Sequence, residues 1–166
     1  MYYKLAVKRS FRKAEYHCNY GVALQQTGEF KEAEACYEKA LQLDPYYEEG
    51  FSNLGVLQMQ LGKTLDAFKN FSLACQLNPS DPTLHYNTGS AAEELGQWAE
   101  AKSSYETTIT LDAKDVQALV KLGQMCLKLN EPVKANEAFS KALQLDPDNQ
   151  KAKEHMGIAI KMITEK

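Results

Sequence analysis

Three asparagines, Asn19, Asn53 and Asn87, recur at an interval of 34 residues, and Lys121 occupies the next step. An asparagine side chain carries a paired donor and acceptor in one amide group. If one such amide lies on the same face of every repeat, the row can hydrogen-bond an extended peptide backbone irrespective of the peptide's side chains. The spacing therefore predicts a row of amides that binds a peptide. His155 continues the interval one step beyond Lys121 and is expected to reach the same surface.

The same interval governs the residues that must position these amides. Three further series keep it, of glycines, of alanines and of aromatic residues: Gly21, Gly55, Gly89, Gly123 and Gly157; Ala33, Ala67, Ala101 and Ala135; Tyr37, Phe71, Tyr105 and Phe139. Self-similarity at a fixed period of about 20 to 50 residues indicates a solenoid of stacked repeats. The small residues are expected to let neighbouring helices approach closely.

Each repeat reads as two helices joined by a tight turn. In the first, a helical stripe of apolar residues over 14–27 ends at Gly28, and a second stripe over 30–43 ends at Asp44-Pro45. Glycine just past a helix can adopt the left-handed conformation that closes the last turn, and proline cannot continue a helix. In the fourth repeat Asn130 replaces the turn glycine, and asparagine can adopt the same conformation.

The third repeat departs most from the shared pattern. Thr88 replaces an apolar residue of its first helix, Thr108 replaces the small alanine of its second, and Ala113 replaces the closing proline. We therefore expect looser packing in this repeat.

Each unit resembles a tetratricopeptide repeat. The second and fourth repeats carry the motif most fully, at Leu54-Gly55, Ala67, Phe71, Ala74 and Pro79, and at Leu122-Gly123, Ala135, Phe139, Ala142 and Pro147. The resemblance implies an all-α, right-handed superhelical solenoid of stacked helix-turn-helix repeats. Its predicted divisions are repeats at 14–47, 48–81, 82–115 and 116–149, a C-terminal capping helix at 150–166, and the second helix of an incomplete N-terminal repeat at 1–13.

In this family the first helices of the repeats line a concave groove. The resemblance implies the following groove residues: Asn19, Asn53, Asn87, Lys121, Val22, Val56, Tyr86, Val120 and Lys128. The amide row is similar to the asparagine ladder of O-linked N-acetylglucosamine transferases. The alternative is that asparagine is simply frequent at this position of the repeat. The carboxylate clamp of chaperone-binding repeats is not expected, because only Asn53 matches it.

Composition excludes several classes of function. The chain has 19 Lys plus Arg against 22 Asp plus Glu, a net charge of −3, so it lacks the dense basic stripe of a nucleic-acid-binding protein. Its four cysteines occur singly, which indicates small buried or half-buried side chains in a reducing, cytoplasmic compartment. No apolar run approaches the roughly 18 residues that a membrane span requires.

Catalysis has no support in the sequence. His17 and His85 are four helices apart, too far to share a metal, and no nucleophile, metal-binding or phosphate-binding motif is present. We therefore expect a protein that is not an enzyme, has no cofactor, and serves as a scaffold for a partner protein or extended peptide. One alternative is the substrate-recruiting region of a larger O-linked glycosyltransferase. Another is a self-associating module, a homo-oligomer formed through the apolar residues of the N-terminal half-repeat, Tyr2, Tyr3, Leu5 and Val7.

Overall fold

The computed structural model describes residues 2–165, with side chains from Arg12 onward, and these residues are helical apart from short turns. The helices are α1 (Tyr2–Thr27), α2 (Phe30–Leu43), α3 (Glu48–Gln60), α4 (Thr64–Leu77), α5 (Pro82–Glu94), α6 (Trp98–Leu111), α7 (Val116–Lys128), α8 (Pro132–Leu145) and α9 (Gln150–Thr164). The first helix of each pair from α3 onward begins 34 residues after the last. Three of these starts have a side-chain cap, in which Asp81, Asp115 or Asn149 accepts a backbone N–H of the first turn.

The chain divides into two compact units. Unit 1 is Met1–Pro79 and unit 2 is Ser80–Lys166. Within unit 1, α1 packs against α2 and α3, and α3 packs against α4. Within unit 2, α5 packs against α6 and α8 packs against α9, while α7 contacts α6, α8 and α9.

An aromatic ring seated on a glycine forms the centre of each helix pair. Tyr37, Phe71, Tyr105 and Phe139 are buried, and each ring lies directly over the glycine 16 residues before it. A methyl group added at Gly55, for example, would lie 2.7 Å from Cε1 of Phe71. The glycine therefore sets the distance between the two helices.

The tight turns share one hydrogen-bonding pattern. Gly28, Gly62 and Gly96 have positive φ angles, and Asn130 has φ 58° at the corresponding place. The residue after each donates its backbone N–H to a carbonyl five residues earlier, as Glu131 does to Cys126 at 2.8 Å. This is the Schellman closure of a helix end, and the prediction that Asn130 replaces a turn glycine is confirmed.

Asn130→Val is expected to lower the free energy of unfolding by about 1–2 kcal/mol, because a β-branched side chain is strained in the left-handed region that this turn requires. Asn130→Gly is the matched control and should change stability by less than about 0.5 kcal/mol. Urea unfolding followed by circular dichroism measures both. Equal losses in the two variants would contradict a conformational origin.

The third repeat is not opened at its two threonines. Thr88 and Thr108 are buried, and their hydroxyls donate to the carbonyls of Leu84 at 2.8 Å and Ser104 at 3.1 Å. Because a hydroxyl that donates to the preceding turn of its own helix leaves no orphaned polar atom, threonine fits these sites. The expectation of looser packing is therefore wrong at these positions.

The first helix differs from the expected division at residue 13. Helix α1 runs without a break from Tyr2 to Thr27. No proline or glycine lies between residues 2 and 20 to end a helix there. The apolar residues expected to drive self-association, Tyr2, Tyr3, Leu5 and Val7, lie outside the residues whose side chains are described.

Candidate binding grooves

A groove of about 280 Å³ lies in unit 1, against α1 and α3. It is lined by Val22, Gln25, Gln26, Tyr37, Asn53, Val56 and Gln60. The polar groups here bond one another: Tyr37 donates its hydroxyl to Gln25 Oε1 at 2.7 Å, and Gln25 donates to Gln60 at 2.7 Å. Asn53 Nδ2 donates to the sulfur of Cys18 at 3.2 Å. Much of the hydrogen-bonding capacity of this groove is therefore used within the protein.

A larger groove, of about 820 Å³, lies in unit 2 against α5, α7 and α9. We call it the unit 2 groove, and it is lined by Ser90, Glu93, Glu94, Trp98, Lys121, Gln124, Met125, Leu127, Lys128, His155, Ile158 and Met162. It combines an apolar surface with several charged and amide groups. Ile158 is 50% exposed, a large fraction for an isoleucine.

Glu93 is the electrostatic centre of the unit 2 groove. Its carboxylate accepts hydrogen bonds from Lys121 Nζ at 2.9 and 3.0 Å and from the hydroxyl of Tyr105 at 2.9 Å. Burial of Tyr105 raises the pKa of its hydroxyl well above the usual range, and the neighbouring carboxylate of Glu93 raises it further. Tyr105 therefore remains a neutral donor, and Lys121 is held by its ion pair.

Lys128 and His155 complete the polar lining. Lys128 Nζ lies 5.5 Å from the centroid of the Trp98 ring, a cation–π distance. His155 Nδ1 lies 2.8 Å from the carbonyl oxygen of Lys151, so this nitrogen carries the proton of the neutral ring. His155 Nε2 is then the acceptor for Gln124 Nε2 at 3.3 Å.

The structure divides the predicted groove residues between the two units. Val22, Asn53 and Val56 line the unit 1 groove, whereas Lys121 and Lys128 line the unit 2 groove. Asn19 is exposed and Asn87 is half-buried, and neither makes a side-chain hydrogen bond within the described part of the chain. Asn19 and Asn53 belong to unit 1 and Asn87 to unit 2. A continuous amide row across both units stays a prediction.

Two of the predicted groove residues pack inside unit 2. Val120 is 3% exposed and belongs to the hydrophobic core, so its side chain is not available on a groove surface. The physical reason is that α6, α8 and α9 all pack against α7 and cover more of its circumference than the repeat pattern implies. Tyr86 is half-buried with its ring edge against Tyr105, at a centroid distance of 5.5 Å.

Trp98 is a groove residue that the sequence reasoning missed. It is the only tryptophan of the chain and the first residue of α6, a second helix, whereas the groove was expected to be lined by first helices. The large apolar residue at a helix start, two positions after the turn at Gly96, was the available signal. His155 was expected to reach the groove, and it does.

No described group of side chains is arranged for catalysis or metal binding. Residues 2–165 contain no cluster of three or more His, Cys, Asp or Glu residues that could hold a metal ion. All four cysteines are free, and they are buried or half-buried as expected. Burial raises the pKa of Cys18 and Cys126, so neither is poised as a thiolate nucleophile. Of the helices described, none has both the length and the apolar character needed to cross a membrane.

Solved structures with a similar fold include two of MamA. One has 25% sequence identity and a TM-score of 0.87, with 92% of this chain and 83% of that chain covered. The other has 27% identity and a TM-score of 0.82, with 85% and 82% covered. YrrB, described as a TPR protein with an unusual peptide-binding site, has 20% identity and a TM-score of 0.87, with 98% and 84% covered. These likenesses show an all-α, superhelical repeat fold.

Sequence comparison agrees with the structural comparison. No curated protein matches the chain. Two family models, both described as tetratricopeptide repeat, match residues 14–47 and residues 86–150, together more than half of the chain. The turns, the glycine-seated aromatic rings and these matches lead to one conclusion: the chain belongs to the tetratricopeptide repeat family.

Proposed function

We propose that this chain, a protein-interaction scaffold of the tetratricopeptide repeat family, binds an extended segment of a partner protein in the unit 2 groove. The observation that carries the proposal is the composition of that groove, about 820 Å³ with apolar side chains beside a few fixed polar groups. Binding sites are concave and mainly apolar, and a small number of polar groups sets the orientation of the ligand. Proteins of this family are generally non-enzymatic scaffolds.

The lining indicates the kind of segment that would fit. Leu127, Ile158 and Met162 offer an apolar surface for an anchoring side chain. Lys121 is neutralised by Glu93. Lys128 is exposed and is not among the ion-paired lysines. It is therefore the cation available to a carboxylate of the partner, so we expect a segment with an apolar anchor and an acidic residue.

Two further observations support a peptide ligand. YrrB, which shares the fold, is described as having an unusual peptide-binding site. The unit 1 groove is smaller, and its glutamines and Asn53 bond within the protein. We therefore assign the main contact to the unit 2 groove, with Val22, Val56 and the asparagines as a secondary surface.

Ile158→Asp is expected to weaken the binding of groove ligands at least tenfold, about 1.4 kcal/mol, because it places a charge on the apolar surface. Ligands are first selected with the wild-type chain from a library of random peptides. The affinity of a selected peptide is then measured by isothermal titration calorimetry. Lys128→Ala should weaken peptides that contain an acidic residue and leave neutral peptides unchanged.

Val133→Asp is the matched control. Val133 is an exposed apolar residue of α8 that does not line the unit 2 groove, so the substitution adds the same charge elsewhere on unit 2. Affinities should stay within about twofold of wild type in this variant. Selected peptides that bind Ile158→Asp as tightly as wild type, or that lose affinity only in Val133→Asp, would rule out the unit 2 groove.

A further inference from the structure

Helix α9 carries a glycine whose aromatic partner is missing. A methyl group built on Gly21, Gly55, Gly89 or Gly123 would lie 2.5–2.9 Å from an aromatic carbon of the following helix. At Gly157, which holds the same position in the repeat, no atom lies within 4 Å. The place that an aromatic ring fills four times in this chain is therefore open on α9.

Ile160 is uncovered on the same side of the helix. The residues at its position in the four earlier repeats, Leu24, Gln58, Ala92 and Cys126, are at most 7% exposed, whereas Ile160 is 45% exposed. Lys153, Gly157 and Ile160 are spaced four and three residues apart, so they share one face of the helix. We call these three residues the α9 face. The residues that dock α9 onto the core of unit 2, among them Ala152, Met156 and Ala159, lie on another face.

The four filled positions show what fits a glycine of this kind. Each is covered by a helix whose aromatic residue has alanine four residues before it and alanine or threonine three residues after it: Ala33-Tyr37-Ala40, Ala67-Phe71-Ala74, Ala101-Tyr105-Thr108 and Ala135-Phe139-Ala142. We propose that the α9 face binds, in trans, an amphipathic helix of a partner protein that presents this arrangement of an aromatic residue between two small residues.

Charge distinguishes a separate partner from a second copy of the chain. Helix α9 carries three lysines, Lys151, Lys153 and Lys161, against one glutamate, so two α9 faces repel each other. Residues 1–13, which place Tyr3 and Ala6 at the matching positions, are also basic. The aromatic residues of α2, α4, α6 and α8 already cover their own glycines, so donating one would require a repeat to open.

The position of Lys153 also indicates the direction of the bound helix. In each helix pair the glycine of the first helix meets the aromatic residue 16 positions later, across the turn, so the two helices run antiparallel. A helix bound in the same way would place its last turn beside Lys153. A cation there is favourable because the carbonyl end of a helix carries partial negative charge. Lys153 pairs within the protein only with the fully exposed Asp148, at 3.7 Å.

The test is an NMR titration of the 15N-labelled chain with a synthetic peptide of residues 28–45, which contains the Ala33-Tyr37-Ala40 arrangement and carries Cys36→Ser to prevent oxidation. Isolated helices of this length are marginal in water, so weak binding is expected and NMR is the suitable readout. We expect saturable shifts of the amides of Gly157 and Ile160. Gly157→Leu, which fills the open position, should weaken binding at least tenfold, and so should Tyr37→Ser in the peptide.

Ile158→Ser is the matched control, because Ile158 lies on the same helix but lines the unit 2 groove. Its affinity for the peptide should stay within twofold of wild type, so failure of the groove proposal would leave this result unchanged. Circular dichroism checks that Gly157→Leu is folded, which the open space around Gly157 permits.

Three results would overturn the proposal: no shifts at 1 mM peptide, shifts confined to groove residues such as Gln124 and Lys128, or equal affinity in Gly157→Leu. A mass that rises with concentration in the absence of peptide, and is restored to that of the monomer by Gly157→Leu, would identify a second copy as the occupant instead.

Discussion

Gly123→Ala is expected to destabilise the protein, whereas Gly157→Ala is expected to stabilise it, although both glycines hold the same position in a repeat. A methyl group at residue 123 would lie 2.5 Å from Cε1 of Phe139 and 2.8 Å from its Cδ1. Phe139 is fully buried, so its ring cannot move without displacing the core, and overpacking of this kind costs about 1–3 kcal/mol. At residue 157 the methyl meets nothing, and replacing glycine by alanine inside a helix gains about 0.5–1 kcal/mol.

Urea unfolding followed by circular dichroism gives both values under the same conditions. Gly55→Ala serves as an internal check, because its methyl would lie 2.7 Å from Phe71 and should therefore shift stability in the same direction as Gly123→Ala. If Gly157→Ala were as destabilising as Gly123→Ala, the position over Gly157 would be occupied in solution. The comparison therefore reports whether a helix covers the α9 face.

The repeat architecture could be predicted because it rests on local signals. The turn at Asn130 is an example: asparagine tolerates positive φ, Pro132 fits the start of the next helix, and the structure has both features. The glycine and aromatic series were visible as a fixed interval, and the structure shows why they keep it, since each ring rests on its glycine. Such features depend on residues within one helix pair, where spacing along the chain fixes position in space.

The grooves were less predictable because they depend on how far neighbouring helices cover one another. Val120 was assigned to a groove by its place in the repeat, but α6, α8 and α9 leave too little of α7 exposed. The ion pair of Lys121 with Glu93 spans 28 residues, and nothing in the spacing distinguishes that pair from other possible ones. Trp98 shows the same limit, because its contact with Lys128 requires the turn of one repeat to meet the first helix of the next.

The free energy of unfolding is expected to fall steeply above pH 10, because three buried tyrosines must stay protonated in the folded protein. Burial is the main cause that raises the pKa of Tyr37, to about 12, and it raises those of Tyr47 and Tyr105 further. Each hydroxyl also donates a hydrogen bond, Tyr37 to Gln25 and the other two to the carboxylates of Glu49 and Glu93. Ionisation would remove these donors and place negative charge beside two carboxylates.

The direction of the effect follows from where the protons are bound. Below pH 10 tyrosine is protonated in both the folded and the unfolded chain, so stability does not depend on these groups. Between pH 10 and about 12 the unfolded chain releases the proton of Tyr37 while the folded protein keeps it. Stability then falls by about 1.4 kcal/mol per pH unit for each such tyrosine, or about 4 kcal/mol per unit for three.

Tyr37→Phe separates this contribution from the titration of lysines, which are the same in both proteins. The variant loses the hydrogen bond to Gln25 and should be about 1 kcal/mol less stable than wild type at pH 8. Above pH 10 its stability should fall about one third less steeply, so the two curves should converge and then cross near pH 11. Urea unfolding at half-unit steps from pH 8 to 11.5, with absorbance at 295 nm to follow tyrosine ionisation, measures both slopes. Parallel curves for the two proteins would mean that Tyr37 ionises equally in the folded and unfolded states, and that its burial does not protect the proton.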